Sequence, residues 1–357
     1  MIAHVIVDRL DVPIVLAPMA GGPTTPQLVA AVSNASGLGF LAAGYLTADA
    51  LEAQIAATKA LTAAAIGVNL FVPGRRRPAA GVVAAYAATL ADDVSRAGVE
   101  LGQARYDDDG WDAKLALLLE DPLPVVSFTF GCPHPSVLKA VQGAGSEVWV
   151  TVTTPAEAEQ AAMAGADALV VQGSEAGGHR ASFTDDPAQD SADGLGLLSL
   201  LQLVRARTDK PLVAAGGIST GAGVAAVLTA GARAAQLGTA FLRCPEAGTA
   251  RVQRDAVAKP GQTAMTRAFT GRLARGIRNQ FQDQHSERAP AAYPEVHFLT
   301  APLRAAGRAA DNPDLVNLWA GQTHELSSEL PAGELVSLLA AEARAALAAA
   351  TGRLSPT

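Results

Sequence analysis

The segment PLVAAGGISTGAGVAAVLTAGARAAQLGT, residues 211–239, decides the fold. Its first apolar run, PLVAA, ends in Gly216 and Gly217, and its second, AAQL, ends in Gly238 and Thr239. Both runs are apolar almost throughout instead of alternating, which is typical of parallel strands covered on both faces. The Ala-rich stretch between them predicts a helix. The segment therefore predicts one strand–helix–strand unit with a glycine at each strand end.

The same unit recurs toward the N terminus. Residues 164–173, AGADALVVQG, nearly match residues 230–239, AGARAAQLGT, and each predicts a helix end, a turn and a strand. Eight buried strands with helices between them predict an α/β protein built as a closed (β/α)8 TIM barrel. The predicted strands lie at 13–17, 38–42, 66–71, 124–129, 147–152, 168–172, 211–215 and 234–237.

Two regions interrupt this pattern. Residues 73–123 form an insertion whose charged runs, RRR at 75–77 and DDD at 107–109, we interpret as solvated loop surface. Residues 243–310 become helical and irregular, which predicts a small, mainly helical lid or subdomain. The barrel then comprises residues 1–242 and 311–357, with an Ala-rich helix at 332–350 closing its outer layer.

Composition narrows the function classes. The chain has 357 residues, 49% of them apolar and 17% charged, which predicts a folded protein with a large core. A net charge of −7 argues against a nucleic-acid partner. The two cysteines, Cys132 and Cys244, lack zinc-site spacing and favour a reducing cytoplasm. Asp8 and Arg9 argue against a signal peptide, and the glycines within the uncharged stretch 211–232 argue against a membrane span.

In a TIM barrel, functional groups lie at the carboxyl ends of the strands. Gly217 and Gly238 follow the seventh and eighth strands, which carry the usual phosphate-binding loops of this fold. The sequence therefore predicts a phosphorylated cofactor. Two GxGxxA matches, at 37–42 and 221–226, do not support a dinucleotide site. The first leads into a strand, and the second has no acidic residue after its next strand.

The histidines supply the catalytic candidates. His179 follows a glycine pair after the sixth strand and is the predicted catalytic residue, while His134, between two prolines after the fourth strand, is the competing candidate. Cys132, close to His134, is interpreted as an inert thiol. The chain has no Ser–His–Asp or HExxH arrangement, so hydrolase and metalloprotease functions lack support and no metal is predicted.

Several segments together resemble the nitronate monooxygenase family, formerly called 2-nitropropane dioxygenases. They are APMAGGPTTPQLVAAVSNASGLGFLAAGYL at 17–46, GVNLF at 67–71, VSFTFGCP at 126–133, VVQGSEAGGHR at 170–180, AAGGIS at 214–219, QLGTAFL at 236–242 and LWAGQ at 318–322. The resemblance implies an FMN-binding TIM barrel that oxidises alkyl nitronates, or nitroalkanes, with dioxygen to a carbonyl compound and nitrite. A flavin-dependent enoyl-acyl carrier protein reductase shares this fold and a similar glycine–histidine loop.

The resemblance also implies site roles. Asn69 and Gln172 hydrogen-bond the flavin ring, and His179 is the active-site histidine. The ribityl and phosphate end is lined by Gly177, Gly217, Gln236, Leu237, Gly238 and Thr239. Ala181-Ser182-Phe183 replaces the family's usual glycine-rich sequence, which leaves the substrate side open. Arg272 and Arg275 are family-like, and we interpret them either as helix-surface charge or as structural or anion-attracting groups.

Two other functions stay open at this level. One is an NAD(P)H-dependent flavin reductase acting on an enoyl thioester or a quinone. The other is a non-catalytic flavin- or phosphate-binding barrel. For nitroalkane oxidation, His179 acting as a base predicts a histidine-like ionisation in the pH–rate profile. The sequence leaves the oligomeric state open.

Overall fold

The structure is a computed structural model that describes residues 5–74, 78–79, 81–189 and 194–354. The basic run at 75–77 lies outside the described residues. The strands are β1 (Ile14–Leu16), β2 (Gly39–Ala42), β3 (Ile66–Phe71), β4 (Val125–Thr129), β5 (Glu147–Val152), β6 (Ala168–Gln172), β7 (Gly178–His179), β8 (Leu212–Ala215), β9 (Ala234–Leu237), β10 (Thr263–Thr266) and β11 (Ala274–Ile277).

Eight of these strands form one parallel sheet, in the order β1-β9-β8-β6-β5-β4-β3-β2. A parallel bridge between Val15 and Leu38 joins the first strand to the last and closes the barrel. All eight predicted strands are present, so the predicted (β/α)8 barrel is confirmed. At the carboxyl edge, Ala215 is in register with both Gln172 and Gln236, which brings two carboxamides to the same level of the barrel.

Helices surround the barrel, and most follow a strand directly. They are α1 (Pro26–Asn34), α2 (Ala48–Lys59), α3 (Val82–Thr89), α4 (Ala91–Ala97), α5 (Trp111–Glu120), α6 (Pro135–Gly143), α7 (Pro155–Ala164), α8 (Leu197–Arg205), α9 (Gly221–Thr229), α10 (Arg251–Val257), α11 (Gln280–His285), α12 (Glu295–Ala309) and α13 (Ala332–Leu354). Threonine side chains start several of them. Thr25 accepts a hydrogen bond from the Leu28 N–H at 3.1 Å, and a proline at the first helical position needs no partner there.

The amino end of the barrel is filled by apolar side chains. Phe40 and Trp149 lie with their ring centroids 5.4 Å apart inside the barrel, and both are buried. Gly67 makes room for them, since a Cβ there would lie 2.5 Å from the Phe40 ring. The Ile6 N–H donates to Glu147 at the first position of β5, which holds the N-terminal segment across this end. The opposite, carboxyl end is therefore the end available for a site.

Helix α13 closes the outer layer, as predicted. By length and composition alone it qualifies as a membrane-spanning helix. However, Leu335, Val336 and Leu339 are buried within the main core cluster of the barrel. A Cβ on Gly221 would lie 2.2 Å from the Glu342 Cβ, and the Gly221 N–H donates to the Glu342 carboxylate at 2.9 Å. Gly221, the first glycine of the second GxGxxA match, therefore allows α9 and α13 to pack closely together.

Residues 243–310 form a cap over the carboxyl end together with helices α3 and α4 of the insertion. They contain α10, α11 and α12, and also the hairpin β10–β11, which pairs antiparallel with β7. Tyr86 of α3 donates to the Ala268 carbonyl at 2.7 Å, and Leu90, Phe269 and Leu299 join it in one apolar cluster. No sequence pattern predicts the three-stranded sheet. The division into a barrel and a 243–310 subdomain stays a prediction.

The acidic run at 107–109 is not a uniformly solvated surface. Lys114, which is 1% exposed, places its ammonium 2.7 Å from the Asp109 carboxylate and donates to the Ala43 carbonyl at 2.9 Å. Asp109 also accepts the Tyr45 N–H at 2.7 Å. The solvated-loop interpretation is therefore wrong for Asp109, because a buried lysine four residues beyond Gly110 needs an anionic partner.

Candidate active site

A cavity of about 540 Å³ lies at the carboxyl ends of the barrel strands, within the usual size range of small-molecule sites. The structure brings all nine predicted site residues to its wall. They are Asn69, Gln172, Gly177, His179, Gly217, Gln236, Leu237, Gly238 and Thr239. Their individual roles stay predictions, but their convergence in one cavity follows from the strand-end positions that the sequence indicates.

Backbone N–H groups form an anion cradle in this wall. Among the described residues, no acceptor bonds the N–H groups of Gly217, Ile218, Gly238 or Thr239. Gly217 has a φ of +65°, and a Cβ there would lie 2.9 Å from the Glu175 Cβ. Unpaired backbone N–H groups next to a cavity are the donors that a phosphate requires. The loops after β8 and β9 therefore fit the phosphate of a bound cofactor.

Two amides also have free capacity toward the cavity. The Gln236 Oε1 atom is buried and has no hydrogen-bond partner among the described residues. Asn69 lines the cavity and donates to the Ser127 and Thr129 hydroxyls at 2.8 Å and 2.9 Å, so its amide N–H groups are occupied and its oxygen remains available as an acceptor. A buried polar atom without a partner is costly. Both residues therefore fit a polar ligand such as a flavin.

Gln172 has a second task. Its Nε2 donates to the His179 carbonyl at 3.1 Å, and its Oε1 accepts the Ala181 N–H at 2.9 Å. The carboxamide thus holds the backbone on both sides of Arg180. One N–H of Gln172 is left for the predicted contact with a flavin ring.

Gly177 is required by close packing. A Cβ on this residue would lie 2.5 Å from the backbone of Ala320 and Gly321. The neighbouring β7 then pairs with β11, with His179 in register with Ala274. The glycine thus permits the loop after β6 to pass close to the 320–321 backbone and to present His179 at the cavity.

The His179 imidazole lies in an apolar setting with one polar contact. Its ring is 5.6–5.7 Å from the rings of Phe130, Tyr293 and Trp319. Its Nε2 is 2.9 Å from the Thr270 hydroxyl. Burial, followed by the charges of Arg272 and Arg304, lowers the pKa of His179 to about 3. The ring is therefore neutral at physiological pH, with both ring nitrogens available for hydrogen bonding.

Comparison with known proteins shows the family of the chain. The sequence profile described as "Nitronate monooxygenase" matches residues 5–342. The chain belongs to the nitronate monooxygenase family. It is 40% identical to a nitronate monooxygenase of Pseudomonas aeruginosa over 341 residues, covering 93% of this chain and 96% of that protein. It is 36% identical to a probable nitronate monooxygenase of Staphylococcus aureus over 333 residues, covering 92% and 93%. This member of the nitronate monooxygenase family is thus an oxidoreductase of a flavin-dependent family.

Solved structures are similar over almost the whole chain. The nitroalkane oxidase of Streptomyces ansochromogenes superposes with a TM-score of 0.93 at 51% identity, covering 96% of this chain and 99% of that one. FabK from Thermotoga maritima superposes with a TM-score of 0.76 at 24% identity, covering 98% and 97%. The second likeness shows a shared fold alone.

The two family-like arginines lie inside the protein. Arg272 is 5% exposed, donates to the Arg180 and Ser182 carbonyls, and places its guanidinium 3.9 Å from the centre of the Phe130 ring. Arg275, on β11, donates to the Ser174 carbonyl at 2.9 Å. The helix-surface interpretation is wrong for both. They attach the glycine–histidine loop to the cap.

The cap contributes two polar side chains, His297 and Arg304, that the sequence analysis did not identify as site residues. Arg304 of α12 is 6% exposed, lines the cavity and has no carboxylate partner among the described residues. It donates to the His297 carbonyl at 2.6 Å, and the His297 ring stacks on Tyr45 at 4.2 Å. His297 and Arg304 are seven residues apart, which places them on one helix face. This seven-residue spacing is the sequence pattern that could have predicted the two residues as neighbours.

The competing candidates lie elsewhere. His134 is exposed and caps α6, accepting the Ser136 N–H at 3.3 Å. Burial raises the pKa of the Cys132 thiol to about 11, so it is a poor nucleophile. Neither residue lines the cavity. Among the residues that the structure describes, no group of three or more His, Cys, Asp or Glu side chains is arranged to hold a metal ion.

Proposed function

We propose that this enzyme binds FMN and uses dioxygen to oxidise alkyl nitronates, and also nitroalkanes, to a carbonyl compound and nitrite. The observation that carries the proposal is a single cavity whose wall combines an unpaired N–H cradle with a neutral, half-buried histidine and a buried arginine. The cradle suits a phosphate, the arginine suits an anion, and the histidine suits a carbon acid.

FMN is proposed in preference to FAD. Both phosphate-binding loops come from the barrel, and neither GxGxxA match has the context of a dinucleotide site. When bound, the flavin supplies the redox chemistry, accepting electrons from the substrate and delivering them to dioxygen. We expect denaturation of the purified protein to release FMN, identified by chromatography. Release of FAD, or of no flavin, would contradict the cofactor assignment.

The protein's own groups handle charge and protons. The Arg304 guanidinium attracts the nitronate, because it is buried without a carboxylate to neutralise it. For a neutral nitroalkane, His179 takes the proton from the carbon that bears the nitro group. The C–H bond breaks, its electron pair moves onto the nitro group, and the proton bonds to the imidazole. The rings of Phe130, Tyr293 and Trp319 exclude water around that transfer.

The partners are then small molecules, a nitronate or nitroalkane and dioxygen. We propose a cytoplasmic location with neither a nucleic-acid nor a membrane partner. The net charge of −7 supports this, as do two unpaired cysteines and the burial of α13 residues against the barrel.

The substitution His179→Asn tests the catalytic assignment. We expect it to retain flavin and fold and to lose about 10²–10⁴-fold in nitroalkane oxidation, the usual loss for one general base. The loss with a preformed nitronate should be smaller, because no proton has to be removed. His134→Asn is the matched control, since asparagine preserves the α6 cap. Equal losses on both substrates would show that His179 positions the substrate and is not the base. An unimpaired variant would contradict the assignment of His179 as the catalytic residue.

Two further measurements separate the other functions. Anaerobic mixing with NADH distinguishes a reductase, because rapid bleaching of the flavin would favour that activity over nitronate oxidation. Flavin retained without turnover of any nitronate, nitroalkane or NADH would favour a binding protein. We expect reduction by nitronates and slow or no reduction by NADH.

A further inference from the structure

The hydroxyl of Thr270 lies between His179 and the backbone of the same loop. Its oxygen is 2.9 Å from the His179 Nε2 and 3.2 Å from the Arg272 carbonyl oxygen. The Arg272 N–H also points to this oxygen, at 3.4 Å. Thr270 is 1% exposed, so bulk water does not compete for these contacts.

One hydroxyl has one proton, and two acceptors are within its reach. The Arg272 carbonyl can only accept, and among the described residues no other donor bonds it. The imidazole can adapt, because its proton can reside on either nitrogen. All groups are satisfied only if Thr270 donates to Arg272 and the His179 Nε2 carries hydrogen and donates to Thr270.

The other ring nitrogen is then the base. The His179 Nδ1 atom has no hydrogen-bond partner among the described residues, yet it is not one of the buried unpaired atoms. Since His179 lines the cavity, this nitrogen retains access to its contents. In the Nε2–H tautomer its lone pair is free to take a proton.

We propose that Thr270 is a positioning residue that holds the catalytic histidine in its Nε2–H tautomer and so makes Nδ1 the proton acceptor. The inference rests on the proposed function. During proton abstraction the nitroalkane C–H bond breaks, its electron pair moves onto the nitro group, and the proton bonds to Nδ1. Nε2 keeps its hydrogen and its bond to Thr270, so the ring does not have to rotate.

Nitrogen NMR of the holoenzyme labelled with ¹⁵N-histidine tests the tautomer without reference to activity. The His179 signals are those missing from His179→Asn. We expect a protonated Nε2 and an unprotonated Nδ1 at neutral pH. The reverse pattern would overturn the proposal even if the enzyme oxidised nitroalkanes, whereas an inactive enzyme with the expected pattern would contradict only the proposed function.

Substitution tests the consequence. Thr270→Val should lower kcat/KM for a nitroalkane by about 3- to 10-fold, which corresponds to the free energy of one neutral hydrogen bond. It should change nitronate oxidation less than about twofold. Thr270→Ser should restore both the rate and the NMR pattern. Thr266→Val is the matched control, because Thr266 is a buried threonine of the cap bonded to Ser286 and not to His179.

Three results would refute the role: no loss in Thr270→Val, an equal loss on both substrates, or the same loss in Thr266→Val. If the valine variant failed to fold, the serine variant and the wild-type spectrum would still decide the question. A serine variant without the expected pattern would count against the proposal.

Discussion

Replacement of His297 by asparagine should make the enzyme less sensitive to acid. Burial, and then the charge of Arg304, lowers the pKa of His297 to about 2. The cause is visible in the geometry, because an Arg304 N–H donates to the His297 Nδ1 at 3.3 Å and protonation would remove that acceptor. In the unfolded chain the pKa returns to about 6.5. Stability contributed by the neutral ring is therefore complete above pH 6.5 and declines as pH falls below it.

The magnitude follows from that difference. At pH 5, about 1.5 pH units below the unfolded value, protonation of the unfolded chain lowers the free energy of unfolding by about 2 kcal/mol. At pH 7.5 the same effect is about 0.1 kcal/mol. Asparagine keeps an acceptor for Arg304 but loses the stacking on Tyr45, so the variant should be less stable by about 1–3 kcal/mol at pH 7.5. That deficit should shrink by about 2 kcal/mol at pH 5.

Urea unfolding at both pH values, with saturating flavin, measures the two deficits. His297→Phe is the matched variant. It keeps an aromatic ring against Tyr45 and removes the acceptor, yet it also removes the titrating group, so its deficit should shrink by the same amount. A deficit that stayed constant within about 0.5 kcal/mol in both variants would show that His297 titrates normally, and it would refute the reasoning.

Two more predictions concern the neutral His179 ring and the ion pair between Lys114 and Asp109. Since the pKa of His179 is lowered to about 3, kcat/KM for a nitroalkane should be flat from about pH 5 to pH 8, and a limb centred between pH 6 and 7 would contradict the lowered pKa. The histidine-like ionisation expected from sequence is the alternative outcome of this measurement. Lys114→Met should destabilise the protein by about 2–4 kcal/mol, because it leaves the half-buried Asp109 carboxylate without its cation. The double variant with Asp109→Asn should recover part of that loss in urea unfolding, and no recovery would contradict a direct pair.

The barrel could be predicted from sequence because its signals are local. The parallel strands are mostly apolar, most strands end near a glycine or a polar pair, and residues 230–239 repeat the pattern of 164–173. The strand-end rule then indicated which residues face the cavity. The insertion and the 243–310 region lack such repetition. Their packing depends on contacts such as that of Tyr86 with Ala268, which are far apart in sequence and leave no periodic signal.

What the sequence determined by itself was the eight-stranded barrel, its carboxyl-end cavity, the glycine cradle and His179 as the catalytic candidate. Only the tertiary structure decided the environment of that histidine. The β7–β11 pairing places Thr270 at its Nε2, and α12 adds Arg304 to the cavity. The physical reason is that burial and the charge of neighbouring groups set a pKa and a tautomer. These neighbours come from segments 90 or more residues away, which only the fold brings together.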